Sequence, residues 1–201
     1  MRLVYEFHGK SGVGLHIDLQ IVRKEQPYGV NAERNSIYTI MDNMFKFWYR
    51  FVPQNVANIE SGLGKQVFEN GVLPHLPEYI GHIFENACRE YMQRQNGTAD
   101  VPFMFSGIGR WWGTNPKTRT QEEIDILADA DNKAIFCECK WNNTKMGMDV
   151  FLELKRKSLI FEKYSEKHYM LFSKMGYNKT VMDYAEKNNI KLINLEMLYE
   201  V

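Results

Sequence analysis

The stretch EEIDILADADNKAIFCECKWNN, residues 122–143, constrains the fold more than any other part of the chain. It reads as two β-strands joined by a DADN turn, since apolar and polar residues alternate on both sides of a short polar break. Side chains along a strand point alternately to opposite faces. On the second strand Glu138 and Lys140 therefore share one face, with Cys137, Cys139 and Trp141 on the other. On the first, Glu123 and Asp125 share a face, with Ile124 and Ile126 opposite. The turn sets the strands side by side, which lets an Asp and a Glu-x-Lys pair meet. Charged side chains avoid core-building strands unless they are paired or bound to something. Asp125, Glu138 and Lys140 are therefore candidate site residues.

The flanking sequence predicts a mixed α/β layer around this strand pair. PEYIGHIFENACREYMQRQNG places Ile80, Ile83, Phe84, Ala87, Cys88 and Tyr91 on one helical face, with Pro77 at its front and Gly97 behind. Downstream, a helix is expected from about Asp149 to Lys163, with Val150, Phe151, Leu154 and Phe161 inward. Strand HYMLFS, helix NKTVMDYAEKNN and strand KLINL follow. The order is helix, three strands, helix, strand, helix, strand. Upstream, IVRKEQP and SIYTIMD flank the turn-rich YGVNAERN and predict a two-stranded, wing-like ribbon carrying Arg23, Lys24 and Arg34. DNMFKFWYRFV reads as a short, heavily buried helix capped by its Asp, with Phe45, Trp48, Tyr49 and Val52 at helical spacing, and Pro53 ends it. VYEF and LHIDLQIV, in the opening residues, are two further strand candidates.

Phosphodiester hydrolysis needs a divalent cation, a water made nucleophilic and positive charge for the transition state. Hard oxygen ligands suit Mg2+ or Mn2+. Asp125 and Glu138 supply such oxygens, the Cys139 backbone carbonyl adds another, Lys140 orients the water or stabilises charge, and Glu85 from the preceding helix completes the metal site. The plainer reading is a solvated sheet face with a cross-strand ion pair worth ~0.5 kcal/mol, and for Glu85 an ordinary i,i+4 pair with Arg89. Cys88, Cys137 and Cys139 read as buried free thiols, and Trp111 and Trp112 as packing. Lys155, Arg156 and Lys157 make a short basic run on the helix after the Glu-x-Lys strand, by default a solvated face.

Asp, twelve residues, then Glu-x-Lys resembles the motif of the PD-(D/E)XK nuclease superfamily, whose core is a helix, a bent three-stranded piece, a helix and another strand. More narrowly, YTIMDNMFKFWYRFV, YIGHIFENACREYM, IGRWWG, EEIDILA and ECKW together resemble the C-terminal half of the archaeal-type AAA ATPases, from about residue 21 to at least 160. In that family a winged helix and a nuclease-like domain follow the ATPase module. The resemblance implies a restriction-endonuclease-like α/β core over residues 53–201 and a winged-helix remnant with a linking helix over 1–52. It places Asp125, Glu138 and Lys140 at the motif positions, Glu85 as the helix carboxylate, and DNA and a separate ATPase as expected partners. The chain departs from the family in lacking the ATPase module: Gly9-Lys10-Ser11 does not complete a P-loop, because the position of the required first glycine is Val4.

At 201 residues there is room for one ordinary domain and a small appended module. Lys and Arg balance Asp and Glu at 25 each, so any nucleic-acid contact has to rest on a local patch. Three sparse cysteines fit a reducing compartment, and with no secretory signal and no membrane-spanning run the expectation is a cytoplasmic protein that does not engage a membrane.

Overall fold

A computed structural model of the chain describes residues 21–30 and 35–199. The strand candidates VYEF and LHIDLQIV fall outside these residues except for Ile21 and Val22, and so does Arg34 of the expected wing. The described residues form two compact units, 21–26 with 30 and 35–79, and 27–29 with 80–199.

In the first unit, β1 (Val22–Glu25) and β2 (Ile37–Ile40) pair antiparallel, with Val22 opposite Ile40, as the ribbon pattern predicts. Helix α1 (Asn43–Phe51) starts at Asp42, whose Oδ1 accepts from the Phe45 N–H at 2.9 Å. Its buried side was misassigned from the sequence. Phe45, Trp48 and Tyr49 are exposed, and Phe51 is the buried residue. The stripe that packs is Asn43, Phe47 and Phe51, four residues apart: Tyr79 lays its ring 5.8 Å from Phe47 and 6.0 Å from Phe51, and its hydroxyl donates to the Asn43 carbonyl at 2.5 Å. The helix is aromatic on two sides, so spacing alone does not say which side is covered. Residues 53–75 form a broken helical run, interrupted at Gly62, whose φ of +83° suits a residue without a Cβ.

Helix α2 (Leu76–Arg94), which enters the second unit at Ile80, leads into β3 (Gly107–Thr114), β4 (Gln121–Ala130) and β5 (Lys133–Lys140). Then come α3 (Met148–Ser158), β6 (Glu166–Ser173), α4 (Lys179–Asn188) and β7 (Lys191–Asn194). The five strands lie in the order β3-β4-β5-β6-β7, the first two pairings antiparallel and the last two parallel. This is the mixed α/β architecture and element order expected. α3 ends at Ser158, short of Lys163, and Leu159 to Tyr164 continue as turns closed by bonds such as Phe161 N–H to Ser158 O.

The two sheet faces carry different helices. Phe84, Cys88, Tyr91 and Met92 of α2 pack against Ile126, Ala128, Ile135, Cys137, Cys139, Met170 and Phe172. On the opposite face Phe151 of α3 meets Tyr169 of β6 and Tyr184 of α4, while Phe136 and Trp111 meet Phe161. Burying a side chain of this size contributes about 1.5–3 kcal/mol, so the sheet centre is a rigid base for whatever lies at its ends. Among the described residues no helix is long and apolar enough to cross a membrane.

Candidate metal centre

The centre is built around an irregularity in β4. Gly109 pairs with Leu127 and Trp111 with Ile124, so two steps along β3 match three along β4. Asp125 and Ile126 together stand opposite Arg110, a β-bulge. A bulge breaks strict alternation, and the packing shows the consequence. Ile126 joins the α2-side cluster, whereas Ile124 pairs with Trp111, whose ring packs on Phe161 on the α3 side. Ile124 and Ile126 thus do not share a face, contrary to simple alternation, and Asp125 is turned toward α2.

Three carboxylates gather there. Glu85 of α2 and Glu123 and Asp125 of β4, all half-buried, each bring an oxygen to within 4.8 Å of the others. Oxygens around a magnesium ion at 2.0–2.1 Å lie about 3–4 Å apart, so little movement is needed for them to share one. Asp125 is fixed by the Cys139 N–H, which donates to its Oδ2 at 2.8 Å. The β4–β5 ladder has its last paired residues at Ile126 and Cys137, and the carboxylate takes an amide just past that point. Burial, then the charges of Glu138 and Glu85, hold the Asp125 carboxyl well above its ordinary range, opposed by the Cys139 N–H and the Lys140 ammonium. Glu123 is gripped by Arg110 through Nε and Nη2. Glu85 faces His82 Nδ1 at 3.4 Å, while Arg89, its expected partner, bonds to Asn86.

Glu138 and Lys140 belong to the other side of the pleat. Lys140 Nζ donates to Glu138 Oε1 at 2.6 Å, and Lys157 of α3 stands 3.5 Å from Oε2. Glu138 is 6 % exposed, and its Oε2 makes no hydrogen bond but is balanced by the Lys157 charge. Burial works to lower the Lys140 pKa, but Glu138 and Asp125 outweigh it and the ammonium is held charged. The structure therefore brings Asp125 and Glu85 together with Glu123, and sets Glu138 and Lys140 beside them as an ion pair whose charges still reach Asp125. Glu123 was missed as a candidate although its place two residues before Asp125 was the available signal. Cys139 touches the site through its amide. Its thiol packs in the α2-side core, and burial pushes it, like that of Cys137, well up, so both stay protonated and offer no thiolate to a soft metal.

The basic run on α3 is divided. Arg156 bonds Glu122 at 2.8 Å and Glu153, Lys157 faces Glu138, and Lys155 is exposed. Trp111 and Trp112 are buried, as packing requires, with the Arg110 guanidinium 5.9 Å from the Trp112 ring centre.

Comparison with known proteins gives kinship without a function. A 30% identical stretch of 159 residues is shared with the uncharacterized protein MJECL04 of Methanocaldococcus jannaschii, covering 74% of this chain and 34% of that one. The chain thus spans about a third of that relative's length. Among solved structures, AF1548, a protein of unknown function, aligns with a TM-score of 0.40 and 20% identity over 60% of this chain and 63% of its own. VC1899 from Vibrio cholerae aligns with a TM-score of 0.41 and 15% identity over 98% of this chain and 42% of its own. A family profile described as archaea bacterial proteins of unknown function, DUF234, matches residues 48–157, more than half of the chain, and the chain belongs to that family.

Proposed function

We propose that this chain is a PD-(D/E)XK nuclease-like protein that hydrolyses DNA phosphodiesters with Mg2+ or Mn2+. The observation that carries the reading is the approach of Glu85, Glu123 and Asp125 oxygens to within 4.8 Å, beside the pair formed by the buried Glu138 and the part-exposed Lys140. Like charges at that spacing repel by about 3.5 kcal/mol per pair at an effective dielectric near 20. Such an arrangement is unfavourable by itself and suits a hard cation. Glu85, Glu123 and Asp125 would hold the ion. A divalent ion there supplies Lewis-acid polarisation of the phosphate and lowers the pKa of a bound water. The chain's own contributions are an Asp125 oriented by the Cys139 amide and a charged Lys140 that, from its pair with Glu138 across the pleat, eases ionisation of the Asp125 carboxylate the ion needs.

The test is cleavage of supercoiled and linear DNA with Mg2+ or Mn2+, with Asp125→Ala and Lys140→Ala run in parallel. Metal-dependent nicking by wild type and its loss in both variants supports the reading. Equal behaviour of all three removes catalysis from it. A second reading, a non-catalytic module that docks onto DNA or a partner such as an ATPase, draws on two observations. Arg110 occupies Glu123, and Met44, Phe45 and Trp48 of α1 are exposed. It predicts DNA or partner binding without cleavage.

A further inference from the structure

The α2 face of the sheet holds the carboxylates, and a negatively charged phosphodiester arriving there needs a cation on that same face. Lys140 is committed to Glu138 at 2.6 Å, on the other side of the pleat. Strand alternation and packing point to a different lysine. Phe172 of β6 lies in the α2-side core, and two residues later Lys174 continues the same face just beyond the strand end. Its N–H donates to the Lys140 carbonyl at 3.1 Å, tying it to the strand that carries Glu-x-Lys.

The Lys174 side chain is positioned. Its Nζ sits 4.8 Å from the centre of the Trp141 ring and donates to Asn143 Oδ1 at 2.8 Å. Trp141 in turn packs on Phe84, the neighbour of Glu85, at 5.4 Å. Among the described residues Lys174 makes no ion pair with a carboxylate. An ammonium held over an aromatic face loses little further freedom on meeting an anion, and, with no carboxylate to displace, it retains its full charge for that anion. Lysine binds phosphate as a point charge, without a required approach plane.

We propose that Lys174, held by Trp141 and Asn143, is the contact for a DNA backbone phosphate at this centre. The inference rests on the nuclease-like reading for its substrate class, but binding can be measured apart from cleavage.

The experiment uses the full chain and a fluorescein-labelled DNA duplex in Ca2+, with anisotropy read across a salt series. Lys174→Ala is expected to weaken binding about tenfold and to lower the salt slope by about 1, as loss of one phosphate contact requires. Lys174→Arg restores both. Lys174→Gln keeps a hydrogen-bond donor for Asn143 and cover for the Trp141 ring, so a loss shared by the Ala and Gln variants marks the charge rather than the packing. Binding and slope unchanged in Lys174→Ala overturn the proposal, even if wild type cleaves DNA in Mn2+. A Lys174-dependent slope in a wild type that does not cleave upholds the contact and sinks catalysis alone. Absence of wild-type binding overturns the contact.

Discussion

Replacing Asp125 with Asn tests whether the centre stores electrostatic repulsion when no metal is bound. The ionised Asp125 lies within 4.8 Å of Glu85 and Glu123 oxygens, and Arg110 already balances Glu123. The repulsion left comes from Glu138 and then Glu85; Lys140 offsets the first, and the second, at 4.8 Å, is about 3.5 kcal/mol at an effective dielectric near 20. The Cys139 N–H gives back about 1.5–3 kcal/mol, and an Asn carbonyl in the same place still accepts that hydrogen. The neutral acceptor forfeits only the charge-assisted part of that bond, about 1–1.5 kcal/mol, so the net gain on removing the charge is on the order of 2 kcal/mol, which at this chain length corresponds to a rise in Tm of roughly 4–8 °C. The sign depends on pH. The Asp125 pKa is raised in the folded state, so the folded protein holds the proton more tightly than the unfolded chain. That stabilisation is complete below the unfolded value of about 3.9 and is lost as pH rises through the folded one. In metal-free buffer Asp125→Asn should therefore melt above wild type at pH 8, with the gap closing toward pH 4. Adding Mn2+ at pH 8 should raise the wild-type Tm and leave the variant unmoved. A variant that melts at or below wild type at pH 8, with no pH-dependent gap, refutes the stored-repulsion argument. Differential scanning calorimetry across the pH series decides it.

Other parts of the fold give independent tests. Arg156→Ala strands the buried Glu122, whose carboxyl the Arg156 hydrogen bond holds below its ordinary value. The loss should be about 1–3 kcal/mol in urea unfolding, reduced from the fully buried case because Arg156 is 42% exposed. Because that pKa is depressed, the loss should be full above about pH 4.3 and shrink as pH falls through the folded value. Gly107→Ala drives a Cβ into the Tyr28 hydroxyl, which bonds Asp129 at 2.6 Å, and should cost about 1–3 kcal/mol by displacing that ring. Tyr28→Phe, which keeps the ring and removes the bond, should lose about 1 kcal/mol in the same assay.

Much of the second unit was legible because its signals are local. Pro77 and Gly97 bracket α2, and the DADN turn joins β4 to β5. The same locality placed Asp42 as the cap of α1. Glu138 and Lys140, two apart on a regular strand, fall on one face and pair as alternation requires. What failed depended on partners distant in sequence. The bulge at Asp125 and Ile126 exists only in the register against β3, so no pattern within β4 announces it. The covered side of α1 is chosen by Tyr79, which no periodicity within α1 can identify. Lys174 lies after β6, and its nearness to Trp141 is set by a parallel pairing across the intervening helix. Glu123 stood beside Asp125 in the pattern, yet its role needed Glu85 to be brought in from α2.

Isothermal titration of the full chain with MnCl2 goes most directly to the central claim that these carboxylates form a divalent-cation centre. The account predicts one saturable site for wild type, abolished in Asp125→Ala and in Glu85→Gln and retained in Lys174→Ala. No saturable heat for wild type, or a site that survives unchanged in Asp125→Ala and Glu85→Gln, would contradict it.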